Sequence, residues 1–198
     1  MARDTKREER LLALVRPLPN HIWAADIPLR NLEDGLEGFA KDWGGVNLTP
    51  DFQRGHVWTL EQQERFVEAM LRGALPSSGL LIQFNAPHWN DDHVVTDLPR
   101  EVQCVDGLQR ITALRKFLKG EVRAFGLTMD DFNGTRFDLK RSFYAVKFAM
   151  HDFASRASLL QYYIDLNFGG TPHSRDELAR VQGLIEASAA APQEGPCP

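Results

Sequence analysis

Asp106-Gly107-Leu108-Gln109-Arg110 gathers a carboxylate, a glycine, a carboxamide and a guanidinium into one short run. An apolar-leaning stretch, Glu101 to Val105, precedes it and reads as a strand. Asp106-Gly107 is a turn signal. Ile111, Leu114, Phe117 and Leu118 then recur at helical spacing, and Gly120 stops the helix. The chemistry this suits is anion binding. A helix N-terminus presents unsatisfied N–H groups and the positive end of a dipole. Gly107 would let a phosphate approach the backbone, and Arg110 would bind it through two parallel hydrogen bonds. Gln109, Arg110 and Thr112 ride the first turn. The same residues also make an ordinary strand-to-helix corner with an arginine in solvent.

The elements that must position this corner come from the rest of the chain. Leu11, Leu12, Leu14 and Val15 give residues 5–16 a charged helix with one apolar side, ended by Pro17 and Pro19. Ile22 to Pro28 reads as a strand. Leu32, Leu36, Phe39 and Ala40 predict a second helix before Gly44-Gly45, and Val46-Asn47-Leu48 a short strand. The stretch Thr49-Pro50-Asp51-Phe52-Gln53-Arg54-Gly55-His56-Val57-Trp58-Thr59 enters extended at Pro50. Thr59 with Gln62 makes a capping box, opening a helix whose buried face is Leu60, Phe66, Val67, Met70 and Leu71. Arg54 thus sits on a loop before a helix, a second place to meet phosphate. Phe52 and Trp58 read as core.

Gly79 to Phe84 reads as a buried strand, followed by a polar loop to Arg100. In that loop His88-Trp89-Asn90-Asp91-Asp92-His93 holds two histidines around two aspartates, but at no known metal-site spacing. Thr135–Phe137 and Phe143–Met150 are expected to pair as a hairpin. Ser158–Leu166 is a helix with the aromatic pair Tyr162-Tyr163. Asn167-Phe168-Gly169-Gly170-Thr171-Pro172-His173 is a tight glycine loop, with His173 expected to pack. Ser174 and Glu177 cap a last helix carrying Leu178, Val181, Leu184 and Ile185. From Ala189 the Ala/Pro/Gly-rich tail is expected to be disordered.

Composition sets bounds. The 198 residues are 43% hydrophobic and 25% charged, enough for a real core in a single globular domain. A formal net charge of -4 excludes a globally basic nucleic-acid binder, so DNA contacts would need a local strip such as Arg115, Lys116, Lys119, Arg123, Lys140 and Arg141. Two cysteines make no disulfide framework, and nothing reads as a signal peptide or membrane span, so the expected setting is the cytoplasm.

Taken together, Pro50-Asp51-Phe52-Gln53-Arg54 with Val57-Trp58, Asp106-Gly107-Leu108-Gln109-Arg110 with Thr112-Ala113-Leu114, and Asn167-Phe168-Gly169-Gly170-Thr171-Pro172-His173-Ser174 with Glu177-Leu178 closely resemble the ParB/sulfiredoxin-like domain marked by a D-G-Q-Q-R box. That domain is the N-terminal half of GmrSD-type modification-dependent restriction enzymes and related anti-phage proteins. The resemblance spans residues 22–187. It implies an α+β (mixed α/β) fold, with a ParB/sulfiredoxin-like core over residues 21–188 that ends in a helical extension, an N-terminal arm over residues 1–20 and a tail over residues 189–198. It implies a nucleoside triphosphate as ligand, with Mg²⁺ as a candidate companion on Asp106. Asp106, Gln109 and Gln53 take the catalytic places. Gly107, Arg110, Thr112, Arg54, Asn167 and Gly170 take the phosphate-binding ones. Gly107-Leu108-Gln109-Arg110 also occupies the place of the G-E-R-R box that grips CTP phosphates in ParB proteins.

Two departures matter. The first glutamine of the box is Leu108, which puts hydrolysis in question more than binding. The Cys pairs and His–Asn pattern of an HNH nuclease are missing, so the expectation is a stand-alone domain whose DNA cutting would fall to a separate nuclease or defence protein. Sulfiredoxin chemistry is disfavoured, because its cysteine belongs where Leu108 stands and Cys104 lies in the strand. The alternative is a non-catalytic module that binds DNA or a protein partner, as an inhibitor or decoy of a defence system.

Overall fold

The structure, a computed structural model, describes residues 5–91, 94–139, 144–168 and 175–190. The strands are β1 (Trp23–Pro28), β2 (Val46–Asn47), β3 (Leu81–Asn85), β4 (Val102–Asp106) and β5 (Ala145–His151). They form one mixed sheet in the order β1-β5-β3-β4-β2. β5 pairs antiparallel with β1 and parallel with β3, and β4 pairs antiparallel with β3 and parallel with β2. The helices are α1 (Thr5–Val15), α2 (Leu32–Trp43), α3 (Leu60–Leu71), α4 (Leu108–Leu118), α5 (Arg156–Phe168) and α6 (Arg175–Ala190). The fold is therefore α+β, closed at the C-terminal side by a helical extension.

Period-2 alternation along the central strands assigns each face of the sheet a different layer. Ile82, Phe84, Val102, Cys104, Phe148 and Met150 point one way. They join Leu32 and Phe39 of α2, Val67 and Met70 of α3, and Ile111, Leu114 and Phe117 of α4 in the larger core. Val105 points the other way, into a smaller core with Phe52, Leu98, Leu159, Leu160, Tyr163 and Val181. Arg115 joins α4 to α2 through a two-pronged contact with Glu33, at 2.6 and 2.9 Å.

The predicted capping box is present. The Thr59 hydroxyl accepts from the Gln62 N–H and the Gln62 carboxamide accepts from the Thr59 N–H. The predicted hairpin is absent. Thr135–Phe137 forms turns, in which the Thr135 hydroxyl donates to the Phe132 carbonyl and accepts from the Phe137 N–H. Such local bonds compete with strand pairing, and β5 is flanked by β1 and β3, so neither of its edges is open. In the polar loop, Trp89 stacks on Trp43 with centroids 4.3 Å apart, which anchors it to the larger core. α1 buries none of its residues, and Leu12 and Leu14 are exposed. α6 runs to Ala190, and residues 191–198 of the expected tail lie outside the described residues.

The β4-to-α4 corner is fixed sterically. Gly107 has φ +106°, and a Cβ there would lie 2.7 Å from Ile82 Cδ1 and 3.1 Å from the Ile82 Cα. Both the dihedral and the approach of β3 demand glycine. A register shift between Gln83 and Phe84 leaves Val105 as an extra residue on β4, and Asp106 then faces Gln83. Bulges of this kind re-aim side chains at the end of a strand.

The sheet face under α5 is polar as well as buried. His151 Nε2 lies 3.0 Å from Gln83 Oε1, and the Tyr162 hydroxyl donates to the same oxygen at 2.8 Å. The same hydroxyl lies 3.2 Å from His151 Nε2, so the three groups form one buried polar cluster. Asn85 exchanges two hydrogen bonds with the Phe153 backbone. Burial and the neighbouring His21 push the His151 imidazole down to about 4, against a smaller opposite pull from Asp152. Burial, and then the Asp106 carboxylate, push the Tyr162 hydroxyl up to about 12.

Two predictions follow from these contacts. Gly107→Ala should cost about 3 kcal/mol in urea unfolding, combining backbone strain with overpacking on Ile82. Gly120→Ala, at φ +75° with open space around its Cβ, should cost only about 1 kcal/mol. Equal costs would contradict the steric account. For His151 the folded value lies below the ordinary 6.5, so the unfolded chain takes up the proton first. Stability should therefore decline as pH falls from about 6.5 to about 4, by on the order of 3 kcal/mol, and His151→Asn should flatten that slope in pH-dependent denaturation.

Candidate functional site

A cleft of about 340 Å³ opens at the β4-to-α4 corner, lined among others by Arg54, Asp106, Gln109, Arg110, Tyr163 and Asn167. Its floor is the chain from Val105 through Arg110. One wall is the irregular segment that leads from Gln53 to α3. The other is the C-terminal half of α5, with Tyr163, Leu166 and Asn167. Residues predicted from three separate stretches of sequence thus converge on one opening.

The floor carries the electrostatics. Gly107 is the N-cap of α4 in a left-handed conformation, and its carbonyl accepts from the Ile111 N–H. The N–H groups of Gln109 and Arg110 therefore have no partner within the helix. Arg110 and Asp106, one helical turn apart, form an ion pair at the mouth, with the arginine side chain 20% and the aspartate side chain 36% exposed. Arg54 lines the same cleft, is half-buried, and makes no ion pair or hydrogen bond among the described residues. Leu108 is buried at 4% exposure, with its side chain in the larger core.

The two glutamines are committed to the backbone around them. Gln53 Nε2 donates to the Cys104 carbonyl at 2.9 Å, which fastens the wall to β4. Gln109 Oε1 accepts from the N–H groups of Val57 at 2.9 Å and Trp58 at 3.1 Å, and Gln109 Nε2 donates to the Gly55 carbonyl at 3.1 Å. From the other side, Gln63 Nε2 donates to the Trp58 carbonyl at 3.1 Å. The Trp58 ring packs on Phe66 and still borders the cleft. His56, on the same loop, has its imidazole held below its ordinary value by burial and by the nearby Lys116.

The remaining predicted residues separate. Thr112 is half-buried on α4 and does not line the cleft. The Asn167 carboxamide donates to the Tyr163 carbonyl at 2.7 Å while bordering the opening. Gly170 and His173 lie outside the described residues, as do Asp92 and His93 of the polar loop. Among the described residues no three His, Cys, Asp or Glu side chains converge as a metal cage. Asp106 by itself suits a Mg²⁺ ion that takes most of its ligands from phosphates and water. Burial, with Asp106 adding to it, pushes the Cys104 thiol far up, so it is a core thiol and not a nucleophile. The basic strip is interrupted, since Arg115 is taken by Glu33, Arg123 donates to the Gly126 carbonyl, and Lys140 and Arg141 lie outside the described residues.

Sequence reasoning missed the supports. Arg180 of α6 donates to the carbonyls of Asp51 at 2.6 Å and Phe52 at 2.8 Å, and Arg156 at the start of α5 pairs with Asp51 at 2.5 Å. These two arginines hold Asp51 and Phe52 against the helical extension. Their partners lie more than a hundred residues away in sequence, where no periodicity connects them. Tyr163 and Leu166 were placed on a helix by their spacing, but nothing local aims them at Gly107.

No helix among the described residues is long and apolar enough to cross a membrane. Neither a search of curated proteins nor a search of solved structures returned a match. Residues 36–141, more than half of the chain, match the family described as GmrSD restriction endonuclease, N-terminal domain. The matched span contains the Gln53–Arg54 wall and the Asp106–Arg110 floor, and it ends before α5. The chain therefore belongs to the GmrSD N-terminal domain family, which associates it with DNA restriction.

Proposed function

We propose that the cleft binds the phosphates of a nucleoside triphosphate, as a ligand-sensing domain within a restriction or anti-phage system. The observation that carries this reading is Arg54. A half-buried guanidinium with no partner among the described residues is costly unless an anion completes it. At the same opening α4 presents its N-terminal turn and Arg110 a second guanidinium, groups on which an anion would be held. Tyr163, Trp58 and Leu166 give the cleft an apolar side on which a base can lie.

The residues favour binding over rapid hydrolysis. Leu108 offers no polar group where the family's box has a glutamine, and the Gln109 carboxamide oxygen is already taken by two N–H groups of the loop. Asp106 and the amide oxygen of Gln53 are acceptors at the opening that could orient a water or, for Asp106, a Mg²⁺ ion. Ligand phosphates would also compete with Asp106 for Arg110, which would free the carboxylate.

The test is calorimetric titration with ATP, GTP, CTP and UTP, with and without Mg²⁺. At least one nucleotide should bind, and Arg110→Ala should weaken it by about 10- to 100-fold, as expected for one charge-assisted bidentate contact. Phosphate release should stay near background. No binding to any of the four would overturn the proposal. Release that disappears in Gln53→Leu would assign a water-orienting role to that glutamine and overturn the preference for binding alone.

A further inference from the structure

The geometry points to Gln109 as a positioning residue, a clamp that presents Arg54 and Trp58 to the cleft, and not as a group acting on the ligand. This deepens the nucleotide reading above and rests on it for the identity of the anion. The segment 54–58 has no helix or strand structure. Among the described residues no backbone-to-backbone hydrogen bond holds it. Its carbonyl at Gly55 and its N–H groups at Val57 and Trp58 all end on the one carboxamide of Gln109. The assignment of that amide is unambiguous. Reversing it would set an NH₂ against two N–H donors and an oxygen against a carbonyl.

Without the clamp, a loop of exposed Gly55, His56 and Val57 would be free to leave the surface. Arg54, at its start, would go with it, and Trp58, at its end, would lose its N–H bond while its ring stays on Phe66. Gln63 would still grip the Trp58 carbonyl from α3, so the helix itself would stay in place. Gln109 also belongs to the first turn of α4 and lines the cleft. One residue therefore joins the phosphate-facing helix end to the loop that carries the second arginine. Anion binding at the helix and closure of the loop become one event.

Hydrogen exchange and a double-mutant cycle test this, using the full chain. In Gln109→Met, which keeps the side-chain length and loses all three bonds, the Val57 and Trp58 amides should exchange at least about tenfold faster, with β3, β4 and α3 unchanged. Arg54→Ala should weaken nucleotide binding about tenfold in the native background and less than about twofold in Gln109→Met, because a released loop no longer delivers the arginine. Unchanged protection at Val57 and Trp58, or an Arg54 effect of equal size in both backgrounds, would overturn the assignment. If Gln109→Met loses protection throughout the sheet, Gln109→Glu replaces it. A carboxylate still accepts from Val57 and Trp58 but loses the bond to the Gly55 carbonyl, so those amides should keep part of their protection and the Arg54 effect should persist, whereas complete loss of either would overturn the clamp. Failure of the native protein to bind any nucleotide would remove the function proposed above and Arg54's ligand with it, while the exchange result would still decide whether Gln109 holds the loop.

Discussion

The contact between Gly107 and Ile82 governs the geometry of the cleft. β3 passes so close to the end of β4 that no side chain fits at position 107, and the backbone there adopts a dihedral that costs other residues dearly. That closeness lets β4 turn directly into α4. It brings the helix's first N–H groups to the sheet edge and leaves Asp106 and Arg110 one turn apart over the opening. The bulge opposite Gln83 belongs to the same adjustment, since it re-aims Asp106 at the last residue before the turn.

Around this corner the two faces of the sheet do different work. The larger core under α2, α3 and α4 is apolar and holds the helix ends rigidly. The other face is joined to α5 partly by buried polar groups, Gln83, Asn85 and His151, whose hydrogen bonds require particular partners. Apolar packing tolerates sliding more readily than a satisfied polar layer does. The polar layer thus fixes where Tyr162 sits, and with it the neighbouring Tyr163 and Leu166 that wall the cleft. Asp106 reaches this layer electrostatically, through its effect on Tyr162.

The resemblance read from the motifs and the family match agree on what the chain is, while the side-chain contacts redistribute roles within the motif. Gln53 and Gln109 stand where water-orienting groups are expected. Their amides are occupied instead by the Cys104 carbonyl and by the loop at 55–58. Leu108 is buried, so this position contributes core packing beneath the cleft. A motif fixes which residues are near one another, and the hydrogen-bond partners decide what each does.

Local chemistry in the sequence determined the elements that depend on neighbours a few residues apart. The strand–glycine–helix corner, the Thr59 capping box and the apolar stripes of α2, α3 and α4 were legible because a period of 2 or 3.6 and a cap are written within one turn or one strand. The failed hairpin at Thr135–Phe137 shows the limit of that legibility, since strand-like composition does not reveal whether a sheet has an edge to spare. Only the tertiary structure decided that Gln109 holds a loop 52 residues before it and that Arg180 of α6 grips Asp51 and Phe52. It alone set α5 against the N-terminal end of α4. Those contacts join segments whose separation in sequence carries no periodic signal, and they exist because close packing of the sheet and helices brings their backbones within hydrogen-bonding reach.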